Sequence, residues 1–193
     1  MTDPISIALL VTAALDACRV PYTVGGSLAS SFSGEPRASI DADILVEMTA
    51  PQVGPFLDAL GEEFYADADA LQRAVATHSS ANLIHRPSGI KVDLFVSGTL
   101  LEAHQLQRRR RIQVASDPER FLYVHSPEDI LLQKLQWYRL GGEVSEQQWR
   151  DVLSIILVQG ARLDRGYLAT TAAMVGLSDL LERADRQAWA GEL

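Results

Sequence analysis

Three carboxylates follow a glycine-rich turn: Val24-Gly25-Gly26-Ser27, then Asp41-Ala42-Asp43 after a short run, then Lys91-Val92-Asp93-Leu94-Phe95. Moving a nucleotidyl group from a nucleoside triphosphate needs hard divalent cations to gather the triphosphate, and such cations take carboxylate oxygens. Residues two apart on an extended strand point to one face, so Asp41 and Asp43 are expected to present together. Asp93 lies in a second apolar stretch, Ile90 to Val96, which reads as a strand able to bring a third carboxylate beside the pair. Lys91 shares the face of Asp93, where a cation either contacts a phosphate or balances the carboxylates.

The glycines supply the other half of the chemistry. After the strand-like Tyr22-Thr23-Val24, Gly25 and Gly26 let the backbone turn tightly and approach a ligand, with Ser27 opening the next helix. Amides exposed at such a helix start suit a phosphate. The chain has neither a GxxxxGK[ST] loop nor a GxGxxG fingerprint there. Singly, a Gly-Gly-Ser turn or an Asp-x-Asp pair is an ordinary feature. Their order, with apolar Ile40, Ile44, Leu45 and Val46 around the pair and Val92, Leu94 and Phe95 around Asp93, favours a site, because carboxylates among buried residues are costly unless paired or metal-bound.

In this order the motifs resemble the nucleotidyltransferase superfamily of polymerase-beta-like fold, and more closely its AbiEii/AbiGii toxin-like branch. The matching residues are Gly25-Gly26-Ser27, Arg37-Ala38-Ser39 before Asp41 and Asp43, Lys91-Val92-Asp93, and downstream Lys134 with Arg150-Asp151. The resemblance implies that Asp41, Asp43 and Asp93 hold two Mg2+ ions, with Mn2+ as an alternative, and that Asp93 also helps deprotonate the acceptor hydroxyl. It further implies that Gly25, Gly26 and Ser27 hold the triphosphate of an NTP and that Lys134 and Asp151 are helical site residues. The bland reading of Lys134 and Asp151 is a helix-face ion pair of little worth. Arg37 is expected either to touch phosphate or to neutralise Asp41. The implied acceptor is a hydroxyl on tRNA, a protein or a small molecule, and a cognate antitoxin is an implied partner. The alternative from another class is a non-catalytic or weakly catalytic nucleotide-binding interaction module of a toxin-antitoxin pair.

The elements that must position these residues are an α/β front and a helical back. Ile5 to Cys18 reads as a helix stopped by Pro21, Pro51 to Leu60 as a helix with Val53, Phe56, Leu57 and Leu60 inward, and Leu71 to Thr77 as a short helix. Ala81 to His85 and Ile90 to Val96 form an expected hairpin, and Arg111–Val114 and Phe121–Val124 read as edge strands. From Ser126 the pattern turns helical, with caps at Ser126 and Ser145 and further starts near Asp164 and Ser178. The expected fold is α/β (α+β), polymerase-beta-like, a small mixed sheet flanked by helices in residues 1–125, with a C-terminal helical bundle in residues 126–193 packed on it.

Composition bounds the class. The chain has 193 residues, 47% hydrophobic and 22% charged, as in an ordinary globular domain. It lacks an eighteen-residue apolar run, and Met1-Thr2-Asp3-Pro4 is unlike the basic start of a signal peptide, so a cytosolic protein away from membranes is expected. The one cysteine, Cys18, agrees with a reducing compartment. A net charge of -8 argues against binding long nucleic acid over the whole surface, while Arg108-Arg109-Arg110-Arg111 reads either as a grip on RNA backbone or as protection of a sheet edge. The four histidines have no zinc-ligand spacing.

Overall fold

In the computed structural model, which describes residues 3–190, the Asp3 carboxylate accepts from the Ser6 amide and Pro4 takes the first turn, starting helix α1 (Pro4–Ala17). Met1 and Thr2, at the start of the segment compared above with a signal peptide, lie outside the described residues. Strand β1 (Tyr22–Val24) leads into α2 (Gly26–Ser33), which begins one residue earlier than expected, so that Ser27 lies inside the first turn. β2 (Asp41–Val46), α3 (Ala50–Leu60), β3 (Phe64–Ala66), α4 (Ala68–Thr77), β4 (Ser80–His85) and β5 (Lys91–Val96) follow. Next come α5 (Leu100–Arg108), β6 (Arg110–Ser116) and β7 (Glu119–Val124), and then α6 (Pro127–Leu140), α7 (Glu146–Gln159), α8 (Arg165–Met174) and α9 (Ser178–Ala190).

The seven strands form one mixed sheet in the order β3-β4-β5-β2-β1-β7-β6. β2 runs parallel to β5 and β1 parallel to β7, while the other neighbours are antiparallel. One face of the sheet is covered: Ile7, Val11 and Leu15 of α1, Val53 and Phe56 of α3 and Leu71 of α4 meet Ala42, Ile44, Val92 and Leu94 in a single core. Fully burying each of the larger side chains contributes roughly 1.5–3 kcal/mol. No helix among the described residues is long and apolar enough to cross a membrane.

Four expectations need correction. β3 was not foreseen, because Phe64–Ala66 is too short for alternation to register. α5 was missed although its capping box, Thr99 with Glu102, stands in the sequence. β7 is an interior strand between β1 and β6, so only β6 of that pair is an edge. Ile40 is 85% exposed and lends the Asp41–Asp43 pair no apolar cover.

By contacts, the described residues fall into two compact units, 3–28 with 38–124, and 29–37 with 125–190. The first holds the sheet with α1, α3, α4 and α5, and the second holds α6 to α9 together with the segment that ends at Arg37. Within the second unit that segment docks on α7. The Glu35 amide donates to Ser154 Oγ at 2.5 Å, Gln159 Nε2 donates to the Ser33 carbonyl at 2.6 Å, and a Cβ on Gly34 would meet Ser154 Oγ at 2.6 Å.

Candidate active site

Alternation along β2 and β5 sets the face on which the carboxylates stand. Ala42, Ile44, Val92 and Leu94 are fully buried in the core, so Asp41, Asp43, Lys91 and Asp93 must project to the other face, and a one-residue slip would bury them. The register pairs Asp41 with Lys91 and Asp43 with Asp93 across the parallel strands. Lys91 Nζ lies 2.7 Å from Asp93 Oδ2. That hydrogen bond, reinforced by the charges of Asp93, Asp41 and Asp43 and opposed by desolvation, holds the Lys91 ammonium above the usual lysine range.

The turn after β1 closes on the same carboxylates. The Gly25 amide donates to the Asp43 carbonyl at 2.9 Å. Gly26 has φ 57°, and a Cβ there would stand 1.7 Å from Asp43 Oδ2, so the backbone of α2 begins where the Asp43 carboxylate ends. Ser27 Oγ shares a short hydrogen bond with Ser39 Oγ, and Ser39 Oγ donates to the Asp41 carbonyl at 2.9 Å. Ser39, not singled out as a site residue from sequence, thus couples the glycine turn to the acidic strand; its signal was its place in the Arg37-Ala38-Ser39 motif. The donor set suits a hard cation by type and by register. As the side chains stand, no group of three or more His, Cys, Asp or Glu among the described residues converges on one point, and one Asp93 oxygen is held by Lys91.

Arg37, Lys134 and Asp151 come together within the helical unit. Arg37 Nε and Nη2 donate to the two Asp151 oxygens at 3.1 and 3.0 Å, Lys134 Nζ lies 2.9 Å from Asp151 Oδ2, and Gln147 Nε2 donates to Oδ1 at 3.1 Å. Lys134 and Asp151 are buried, 2% and 6% exposed, which replaces the exposed helix-face pair of the bland reading. Arg37 engages Asp151 and so is not the counter-ion of Asp41. Burial pushes the Asp151 carboxyl up, but the hydrogen bonds and charges of Arg37 and Lys134 outweigh it and hold the group below the usual carboxylate range. Gln147 was not foreseen; its spacing of four from Asp151 on α7 is the helical signal for it.

The basic run divides among separate tasks. Arg108 closes the last turn of α5, Arg109 donates to the Leu106 carbonyl at 3.0 Å with its guanidinium 4.8 Å from the Tyr123 ring centre, and Arg110 and Arg111 lie on the outermost strand β6. The Arg111 guanidinium sits 3.6 Å from the Phe121 ring centre.

No protein-family model and no curated protein matches the sequence. Solved structures do match. The antibiotic-resistance factor ANT(2'')-Ia, in its solution structure, aligns with TM-score 0.57 at 13% identity over 94% of this chain and 99% of its own. Its crystal structure in complex with adenylyl-2''-tobramycin aligns with TM-score 0.54 at 12% identity over 89% and 98%. The lincosamide antibiotic adenylyltransferase LnuA, lincomycin-bound, aligns with TM-score 0.50 at 16% identity over 78% and 95%. At these identities the shared property is the fold alone, a mixed sheet flanked by helices.

Proposed function

We propose that this chain is a metal-dependent nucleotidyltransferase that moves a nucleoside monophosphate from an NTP to an acceptor hydroxyl, with release of pyrophosphate. The observation that carries the reading is the register that sets Asp43 opposite Asp93, with Asp41 beside Lys91, on a face where the Gly25-Gly26 backbone meets Asp43. The fold shared with the lincosamide antibiotic adenylyltransferase LnuA and with ANT(2'')-Ia, solved in complex with adenylyl-2''-tobramycin, supports it.

In this reading Asp41, Asp43 and Asp93 hold Mg2+, or Mn2+ in its place. Bound there, the cation neutralises phosphate charge and lowers the pKa of the attacking hydroxyl. The amides at the start of α2 and the Ser27 hydroxyl hold the triphosphate. Asp93 orients the acceptor hydroxyl and takes its proton; the hydroxyl oxygen bonds to the α-phosphorus, the bond from that phosphorus to the bridging oxygen breaks, and pyrophosphate leaves with the electron pair. With Asp93 holding a cation, Lys91 would be free to act as a phosphate contact. Within the helical unit, Arg37 is the member of its cluster fit to meet a phosphate oxygen, being 32% exposed while Asp151 holds only one edge of its guanidinium. In the same reading the motif set supports an AbiEii-like enzyme acting as a component of a toxin-antitoxin pair.

The test is incubation with each common α-labelled NTP, Mg2+ and total cell extract, beside an Asp41→Ala/Asp43→Ala control. Label on RNA, protein or a small molecule with the wild-type protein only is the expected result. Absence of both transfer and Mg2+-dependent nucleotide binding refutes the reading.

A further inference from the structure

The outward face of the sheet continues past the carboxylates to the edge. Register partners share a face, and the pairings run unbroken from Asp41 to Lys91, from Lys91 to Ile84 and from Ile84 to Tyr65. A second row runs from Asp43 to Asp93 to Asn82. At about 4.8 Å per strand, Tyr65 stands roughly 14 Å from Asp41. Asn82 is exposed, Ile84 is 39% exposed and Tyr65 50% exposed. The Arg86 guanidinium lies 5.6 Å from the Tyr65 ring centre.

Strand order decides which side of the carboxylates an acceptor uses. The Gly25-Gly26-Ser27 turn follows β1, which borders β2 on one side, while β5 with Asp93 borders it on the other. In phosphoryl-group transfer the attacking and leaving oxygens lie roughly in line. A triphosphate held at the glycine turn therefore directs pyrophosphate toward the β1 side and requires the hydroxyl to arrive from the β5 side, over β4 and β3.

We propose that Asn82, Ile84 and Tyr65, with Arg86, form the acceptor platform, and that it selects a hydroxyl carried by a molecule with a planar ring, as at the nucleoside end of a polynucleotide. The inference rests on the nucleotidyl-transfer reading above. The Asn82 amide, across from Asp93, both donates and accepts beside the reacting hydroxyl. Ile84 and Tyr65 give a ring an apolar and aromatic surface, and Arg86 extends the stack and meets an anionic group. Beyond Asp93 the outward strand residues Ser80, Asn82, Ile84 and Tyr65 are uncharged.

The experiment uses the full chain and three variants, Tyr65→Ala, Tyr65→Phe and Asn82→Ala. It reads Mg2+-dependent binding of fluorescent analogues of each of the four common NTPs, binding of a short single-stranded RNA with a free 3'-hydroxyl, and transfer of label from each NTP to that RNA or to tobramycin. The expected result is that wild type binds and labels the RNA, that Tyr65→Ala weakens RNA binding about tenfold, the scale of one lost base stack, and that Tyr65→Phe retains it. Asn82→Ala lowers transfer more than binding, and nucleotide affinity holds in all three variants. Wild-type RNA binding in Tyr65→Ala overturns the platform. Labelling of tobramycin but not RNA by the wild type overturns the planar-ring class. Failure of the wild type to bind any of the four NTP analogues overturns the parent reading, and is told apart because no acceptor is present in that measurement.

Discussion

The Asp43 carboxylate fills the space that a side chain on Gly26 would need: a Cβ on Gly26 would stand 1.7 Å from Oδ2 and 2.6 Å from the carboxyl carbon. Gly26 also holds φ at 57°, a backbone that any other L-residue adopts at a cost of about 1–2 kcal/mol. Gly26→Ala is therefore expected to displace Asp43 and abolish nucleotide binding, with a stability loss of that order or more. In the double variant Gly26→Ala/Asp43→Ala the two shortest contacts, to Oδ2 and the carboxyl carbon, are removed and only the Asp43 Cβ at 2.9 Å remains, so the two stability losses should be non-additive. Chemical denaturation of the four proteins in the cycle measures this, and simple additivity would contradict the contact.

Asp93 and Lys91 make opposite predictions. Asp93→Asn keeps the strand and its hydrogen bonds but removes the proton acceptor, so transfer should fall by about 10²–10⁴-fold with an unchanged circular dichroism spectrum. Lys91→Met removes the cation that competes for Asp93 Oδ2. Because Lys91 is 45% exposed, the gain in Mg2+ affinity should be modest, up to about fivefold. Titration with Mn2+ followed by electron paramagnetic resonance reads the second effect directly.

The buried cluster in the helical unit is expected to act first on stability. Asp151→Ala leaves Lys134 without its carboxylate at 2% exposure and should cost about 3–5 kcal/mol, whereas replacing both Lys134 and Asp151 by apolar residues of similar size should cost far less. Urea unfolding of the single and double variants decides it; equal losses would show that the pair is not the unit of stability.

Acid should destabilise the fold in two separable windows. Burial pushes the His125 imidazole down from 6.5 to about 3, so the folded state keeps it neutral while the unfolded chain takes up a proton. Its contribution is complete above pH 6.5 and is lost as pH falls toward 3, with a slope of at most about 1.4 kcal/mol per pH unit. The Asp151 carboxyl is depressed, so its contribution is complete above its ordinary 3.8 and is lost only as pH falls further. His125→Gln should flatten stability between pH 6.5 and 3.8 and leave the steeper loss below it, as followed by urea midpoints across pH.

Arg110 and Arg111 occupy the terminal strand β6, whose outer edge is available to pair with another chain. Charged residues on such an edge discourage that pairing. Arg110→Val/Arg111→Val is expected to shift the protein to larger species in light scattering, and an unchanged mass would remove the edge-protection role.

What the sequence by itself determined is whatever follows from short-range rules. The caps at Ser126 and Ser145, the hairpin turn at Arg86-Pro87-Ser88-Gly89 and the alternation around Asp41, Asp43 and Asp93 each depend on residues within a few positions, and each formed where expected. The tertiary structure decided what depends on distant partners. Only sheet order makes β7 an interior strand and lays Tyr65 and Ile84 in line with Lys91 and Asp41. Only the docking of residues 29–37 on α7 gives Arg37 to Asp151 rather than to Asp41, although Asp41 is four residues away in the chain and Asp151 is far removed. Only the parallel pairing of β2 and β5 sets Asp43 opposite Asp93, because strand alternation fixes which face a side chain takes but not which strand lies beside it.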